Sequence, residues 1–342
     1  MLDQEQTGIT CIAAPPQDDH GIAWHIAGYA FGFAVLWLAF YGIFILFPFI
    51  STGADVVYRA KLKQEFHGTV FPENHSSQRI LIFGTSKILA GFIPDEFDRL
   101  AAVDHLNYYS YNSGYPARQT FVPELRKMVK RKSGVPDIVL LTIPWENTTN
   151  RINIFRLPWS DHDIAEDFFP FRYLVRDFFS FLITSRQHGG PLNYYREGGA
   201  NVAKMLKDRG YYFVSEQSHY PNDRLPDDFH LPSDDPSLVM TRSPDARSAQ
   251  LSELNQIIDE HHIRCYFVPQ YEREGEYASP PKMDRAFAGL LRLHSSCKLL
   301  GPDYFLYPNQ MFSDRAHLNH AGAQVYTRAI YDLLSEEESR GH

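Results

Sequence analysis

The longest uninterrupted hydrophobic stretch of the chain is residues 26–47, which contain no charged side chain. About 20 apolar residues are enough for a helix to cross a bilayer. A cleaved signal peptide would need a basic segment before a shorter apolar run, and residues 1–22 contain no Lys or Arg. The pattern therefore predicts an N-terminal tail over 1–22, a retained transmembrane helix over 23–50 and a juxtamembrane helix or linker over 51–76.

The rest of the chain, residues 77–342, alternates short β-type apolar runs with helical patterns. Strands are predicted at 79–84, 105–111, 137–143, 263–269 and 304–307, and helices at 118–131, 248–261, 281–295 and 321–337. This alternation predicts an α/β fold with a doubly wound parallel sheet.

One segment of this domain, about 148–247, breaks the alternation and is too long for a plain loop. We interpret it as an inserted, mostly helical cap that shapes a substrate site. The alternative is a structural elaboration that packs on the sheet or on the membrane surface.

Composition narrows the function classes. The chain has 342 residues, 44% of them hydrophobic, and a net charge of −8 with no basic stripe, which argues against a nucleic-acid binder. Its three cysteines (Cys11, Cys265 and Cys297) form no CxxC pair and no zinc spacing. Because Cys265 lies in a predicted strand, we expect a buried, inert thiol there. The absence of these cysteine spacings also predicts no disulfide framework and no metal site.

A candidate nucleophile stands at the end of the first predicted strand, in the sequence Gly84-Thr85-Ser86. In open α/β sheets, ligands bind at the carboxyl ends of the strands. Ser86 would lie there with its hydroxyl exposed, next to helix N–H groups that can hold an oxyanion. Alternatively, Ser86 simply caps the following helix. Lys87 is expected to be a solvated residue of the first turn.

A candidate base for this serine stands near the C-terminus. Asp314 and His317 are three residues apart, a spacing that puts both side chains on one side of a turn. The aspartate can fix the imidazole tautomer, and the imidazole can then take the proton of a serine hydroxyl. The turn precedes the last predicted helix, so it should fall on the same sheet edge as Ser86. His320 is interpreted as a supporting or surface residue.

These blocks together resemble the SGNH (GDSL-like) hydrolase superfamily over roughly residues 77–338. They are Gly84-Thr85-Ser86 after the first strand, Gly114 after the second, and Asp314-x-x-His317-Leu-Asn-x-x-Gly. The resemblance implies a flavodoxin-like sheet, with Ser86 as nucleophile, His317 as general base and acid, and Asp314 as its orienting partner.

The resemblance also implies an oxyanion hole formed by the backbone N–H groups of Ser86 and Gly114 and by a side-chain amide. In the family that amide belongs to a Gly-x-Asn-Asp block. Here the third strand ends instead in Pro144-Trp-Glu-Asn147, so Asn147 would have to act with a one-residue shift. Removing one such donor typically lowers the rate by about 10²–10³.

A membrane helix followed by such a domain is similar to the anchored SGNH-like proteins of cell-envelope polymer O-acylation, as in alginate acetylation and lipoteichoic acid D-alanylation. The resemblance implies a serine esterase or O-acyltransferase that moves an acyl group, expected to be acetyl, to or from an envelope polysaccharide. It implies no cofactor and a possible membrane-bound O-acyltransferase partner. The alternative is a catalytically weak accessory module that binds a polymer or that partner, with Gly28 and Gly32 as the helix contact.

The membrane orientation depends on two conflicting signals. Arg59, Lys61 and Lys63 follow the helix, and the positive-inside rule would then place the domain in the cytoplasm, as for a lipid or thioester hydrolase. The envelope proteins named above face the other side. Because Arg59 lies about nine residues beyond the predicted transmembrane helix, we expect an extracytoplasmic, periplasmic or extracellular, domain.

Overall fold

The computed structural model describes residues 19–50, 54–67, 70–72, 76–115, 122–131, 134–142, 174–212, 220–230, 249–274, 295–302 and 304–340. The helices there are α1 (Asp19–Leu46), α2 (Ala54–Phe66), α3 (Ser86–Gly91), α4 (Pro94–Val103), α5 (Val122–Val129), α6 (Leu174–Ser185), α7 (Pro191–Lys207), α8 (Ala249–His261) and α9 (His320–Arg340). The strands are β1 (Gln78–Gly84), β2 (Tyr108–Gly114), β3 (Ile138–Thr142), β4 (Arg264–Val268), β5 (Gln270–Arg273), β6 (Lys298–Leu299) and β7 (Tyr304–Tyr307).

Five strands form one parallel sheet in the order β2-β1-β3-β4-β6. The expected α/β fold with a parallel sheet is therefore confirmed. The chain passes from β2 over β1 to β3, so the order reverses between β1 and β3. A crevice outside the carboxyl ends of the strands at such a reversal is where open α/β sheets bind ligands, and Ser86 follows β1 there.

Both faces of the sheet are buried, which explains why its strands are almost continuously apolar. On one face Leu81 and Val139 pack into a cluster with α5 and α8. On the other face Ile80 and Leu140 pack with α3, α4 and α9. Successive strand residues point to opposite faces, so adjacent residues of β1 serve two different cores.

The second sheet and the disulfide between two of the cysteines were not expected. Pro269 separates β4 from β5, and β5 pairs in parallel with β7 outside the main sheet. Cys265 in β4 forms a disulfide with Cys297, 32 residues later. The prediction of an inert thiol at Cys265 is wrong, because the segment before β6 brings Cys297 to 4.4 Å from Cys265 between the Cα atoms.

The N-terminal helix α1 contains a segment, Gly21–Leu46, that is long and apolar enough to cross a membrane. Most of its large side chains are exposed, as at Phe31 and Leu38. A short 3₁₀ helix, Pro48–Ile50, follows it. The expected apolar helix is thus present in the structure; residues 1–18 of the expected tail lie outside the described part.

The juxtamembrane segment differs from a linker. Helix α2 packs against α5 and α7, and Val57, Lys61 and Glu65 are all buried in it. It therefore belongs to the folded domain.

The inserted segment also differs from the cap that we expected, in the parts that the structure describes. Helices α6 and α7 pack on α1 and α2 rather than over Ser86. Residues 220–230 lie against the turn that carries His317, where Leu225 N–H donates to Phe312 O at 2.9 Å. The contacts of α6 and α7 favour the alternative of a structural elaboration, whereas residues 220–230 lie beside the candidate site.

Candidate functional site

Ser86 lies at the turn from β1 into α3. Thr85, in extended conformation, is the N-cap of α3, and its Oγ1 accepts the Lys87 N–H at 3.3 Å. Ser86 is therefore the first helical residue and not the cap. Its side chain is half-buried and hydrogen-bonds to no residue of the described chain.

Asp314 and His317 form a hydrogen-bonded pair. His317 Nδ1 lies 2.8 Å from Asp314 Oδ2, and Asp314 Oδ1 also accepts the backbone N–H groups of Ala316 and His317 at 2.7 and 2.8 Å. Burial by itself would raise the pKa of Asp314, but these hydrogen bonds and the imidazole lower it below its ordinary value. Because an ionised carboxylate only accepts, the imidazole proton sits on Nδ1 and Nε2 is left as the basic nitrogen.

The turn that carries this pair is closed by its own backbone. Phe312 and Leu318 form an antiparallel bridge, and Ser313 N–H donates to His317 O at 2.9 Å. Asn319 then caps α9, where its Oδ1 accepts the Gly322 N–H at 3.0 Å. The buried Leu318, the Asn319 cap and Gly322, whose Cβ would lie 2.3 Å from Met311 O, account for the Leu-Asn-x-x-Gly sequence after His317.

Tyr271 joins this turn to the one that carries Ser86. Its hydroxyl donates to Lys87 O at 3.0 Å, and its ring packs against Phe312, which pairs with Leu318 across the turn that carries His317. Lys87 directly follows Ser86 in the sequence. The same tyrosine thus contacts both turns, although no hydrogen bond joins the Ser86 and His317 side chains.

Tyr271 is fully buried and was missed at the level of the sequence. Burial raises its pKa well above the ordinary value, so the hydroxyl stays protonated. Its ring packs edge-on against Phe312 and Tyr326, with centroids 5.9 and 5.0 Å away. Nothing in the sequence around β5 distinguishes this tyrosine from an ordinary core residue.

Lys87 differs from the solvated residue that we expected. Its side chain is only 14% exposed and its Nζ lies 2.5 Å from Glu272 Oε1, itself 12% exposed. Glu272 follows Tyr271 in β5, so the same strand that holds the turn also neutralises the cation beside Ser86.

Gly114 lies where the resemblance implies, in register with Gly84 across β1 and β2. Its N–H, however, donates to Asn112 Oδ1 at 2.8 Å, and its carbonyl accepts Lys61 Nζ at 2.8 Å. This differs from the expected free oxyanion donor, because a buried asparagine already occupies the N–H. A Cβ on Gly114 would come within 2.3 Å of Leu89 N, so α3 needs glycine there.

Asn112 is a further residue that the sequence did not single out. It is fully buried, and its Nδ2 donates to Ile88 O at 2.8 Å and to Phe92 O at 2.7 Å. It therefore ties β2 to α3, the helix that begins with Ser86. The other expected oxyanion donor, Asn147, lies outside the described residues, as does all of Pro144–Asn147.

A buried charged network lies behind Gly114. Lys61 and Glu65, one turn apart on α2, are both fully buried or nearly so. Lys61 Nζ also donates to Gly210 O at 2.9 Å, and Glu65 accepts the hydroxyls of Ser113, at 2.7 Å, and Tyr115. Burial lowers the pKa of Lys61 to about 7, partly offset by the charge of Glu65.

His320, in the motif with His317, has a different environment. It is exposed at the start of α9, and its Nδ1 lies 3.3 Å from the Tyr211 hydroxyl. Among the residues that the structure describes, no three His, Cys, Asp or Glu side chains cluster as a metal site would require.

Comparison of the chain with protein-family models, with curated proteins and with solved structures gave no match. The functional argument therefore rests on the site itself.

Proposed function

We propose that this chain is a membrane-anchored serine esterase or O-acyltransferase of the SGNH type, acting on an acyl ester of a cell-envelope polysaccharide. The observation that carries the proposal is the Asp314–His317 pair. It has a basic nitrogen directed away from the carboxylate, and Tyr271, which packs against Phe312 of its turn, also binds the turn of a half-buried serine.

In the proposed reaction, Ser86 Oγ attacks the acyl carbonyl while His317 Nε2 takes its proton. Asp314 stabilises the imidazolium that forms. The carbonyl oxygen becomes an oxyanion beside the Ser86 N–H, which as the first N–H of α3 has no partner within the helix. Collapse of this intermediate breaks the ester bond, and His317 returns the proton to the leaving hydroxyl. Water or a polymer hydroxyl then attacks the acyl-serine by the same steps in reverse.

The Cys265–Cys297 disulfide supports an extracytoplasmic domain, because structural disulfides persist in oxidising compartments and are rare in the cytosol. This runs against the three basic residues after α1. Protease treatment of spheroplasts, whose cytoplasmic membrane is intact, tests the orientation: a C-terminal tag should be removed from outside, and a protected tag would favour a cytoplasmic lipid or thioester hydrolase.

The catalytic test uses the full chain in detergent with a small acetyl ester as substrate. Ser86→Ala and His317→Gln should each lower kcat/KM by about 10³-fold or more, since the triad acts as a unit. His320→Gln, in the same motif but in contact with Tyr211, should retain activity. A Ser86→Ala variant as active as the parent chain would refute the mechanism.

A second candidate function, a catalytically weak accessory module, is favoured by one observation. The Gly114 N–H is already bonded to Asn112, which leaves fewer oxyanion donors than the reaction normally uses. In this alternative α1 carries the contact with a membrane-bound O-acyltransferase. The space beside Gly28 and Gly32 is open, with no atom within 4 Å of a Cβ placed on either. Co-purification with such a partner should then survive Ser86→Ala and fail with Gly28→Leu.

A further inference from the structure

Helix α6 has an exposed apolar stripe. Val175, Phe179 and Ile183 are spaced four residues apart, so they lie along one side of the helix. They are 45%, 58% and 65% exposed. Exposed, aligned large apolar side chains of this kind mark a surface that contacts another protein or a membrane.

Another side of α6 packs on the apolar helix α1. The Phe178 ring lies edge-on to Phe40 with centroids 5.8 Å apart, and Phe181 is buried in a cluster with Phe44. Phe40 and Phe44 precede Leu46, the last residue of α1, by six and two residues. At 1.5 Å per residue, they lie about 9 and 3 Å before the end of that helix. Helix α6 is therefore level with the last turns of the apolar segment.

The charged residues of this region stand at the ends of α6. Arg176, 66% exposed, is in its first turn and pairs with Asp177 at 2.8 Å, and Arg186 follows directly after its last residue. An apolar stripe with cationic residues at the ends is typical of helices that lie at the boundary of headgroups and acyl chains.

We propose that α6 is a second membrane contact of this chain, with Val175, Phe179 and Ile183 against the lipid acyl chains of the bilayer that α1 spans. This inference rests on the proposed membrane anchoring. Lipid is the occupant because α6 packs on the last turns of α1, where Ile45 and Leu46 also expose apolar side chains, and so lies at their depth.

A membrane contact at α6 also sets the distance between the candidate site and the membrane surface. Helix α7 follows α6 after the short 3₁₀ helix Arg186–His188, and a Cβ on Gly199 would lie 3.1 Å from the Phe49 ring, just beyond α1. Further along α7, Val202 and Met205 pack with Leu89 of α3. Six residues of helix separate the Phe49 contact from the last of these, about 9 Å. The helix that begins with Ser86 is thus held close to the membrane surface and acts on esters there.

The test places a nitroxide label on Phe179→Cys in the full chain, reconstituted in phosphatidylcholine vesicles. Cys11→Ser removes the free thiol and the native disulfide is kept. Accessibility to oxygen, which concentrates in lipid, is compared with accessibility to a water-soluble nickel chelate. Ile183→Cys is a second label site on the same stripe. Leu38→Cys on α1 is the lipid control and Glu197→Cys, 51% exposed on α7, is the aqueous control.

The α6 labels should match Leu38→Cys, with oxygen favoured over nickel, and Glu197→Cys should show the reverse. Nickel-accessible α6 labels beside an oxygen-accessible Leu38 label would overturn this inference alone. Labels shielded from both reagents would mean that a protein surface, from a second copy or a partner, covers the stripe, and would also overturn it. A nickel-accessible Leu38 label would instead refute the anchoring itself.

Discussion

Replacing Asn112 with leucine tests how the serine-bearing helix is held. The Asn112 side chain makes three strong hydrogen bonds in a fully buried position: it donates to Ile88 O and Phe92 O and accepts the N–H of Gly114. Leucine has nearly the same size, so the substitution removes the polar contacts with little change in packed volume.

The cost follows from which groups lose a partner. Ile88 O keeps the N–H of Phe92, at 3.1 Å, as the last bond of α3. Phe92 O and the Gly114 N–H lose the bond from Asn112. A buried group left without its hydrogen bond costs about 1–3 kcal/mol, so the two together should lower the free energy of unfolding by about 2–6 kcal/mol. For a domain of ordinary stability, about 5–15 kcal/mol, that is a large fraction.

Pulse proteolysis of the full chain in detergent over a urea series measures this difference, because only globally unfolded molecules are cleaved. The matched control is Asn107→Leu, an exposed asparagine whose Nδ2 bonds, among the described residues, only to Ser76 Oγ at 3.3 Å. It should change the unfolding free energy by less than about 0.5 kcal/mol. If Asn112→Leu costs no more than this control, then Asn112 does not hold α3 to β2 and the reasoning about the site is refuted.

Three further predictions concern stability. Burial lowers the pKa of Lys61 from 10.5 to about 7. The penalty for burying its charge is therefore complete below pH 7 and disappears as pH rises toward 10.5, so the free energy of unfolding should rise over this range. Lys61→Met should flatten that rise, and an unchanged slope would contradict this prediction. The pKa of Asp314 lies below its ordinary value of 3.8, so the ionised carboxylate stabilises the fold above pH 3.8, and this stabilisation is lost as pH falls through the lowered pKa. Asp314→Asn should therefore lose less stability than the parent chain between pH 5 and 3. Cys297→Ser removes the disulfide that closes the 32-residue loop to Cys265, and it should lower the free energy of unfolding by about 4 kcal/mol by the loop-closure estimate. If reduction of the parent chain left its unfolding midpoint unchanged, that result would contradict the disulfide.

The parts of the fold that follow from local pattern were predictable. A strand buried on both faces is continuously apolar, as in β1 and β3, and the apolar run of α1 needs no tertiary contact to be recognised. The Asp314–His317 pair was predictable for the same reason. The two residues are three apart in one turn, which suffices to bring them together, and the observed Nδ1–Oδ2 distance is 2.8 Å.

What the sequence could not supply are contacts between residues far apart along the chain. Tyr271 lies 184 residues after Lys87, whose carbonyl it binds, and the pairing of Cys265 with Cys297 depends on how two strands come side by side. The role of Asn112 likewise exists only because α3 packs within reach of β2.

The sequence by itself therefore determined the apolar helix and the alternation of strands and helices, and it singled out the serine, histidine and aspartate as candidates. Tertiary structure decided their setting: a tyrosine in contact with both turns, an asparagine on the Gly114 N–H, and α6 against α1. The physical reason is the distance along the chain between the residues that interact. Periodicity and short turns are fixed by neighbouring residues, whereas a buried hydrogen bond between distant segments is fixed by the packing of the whole domain.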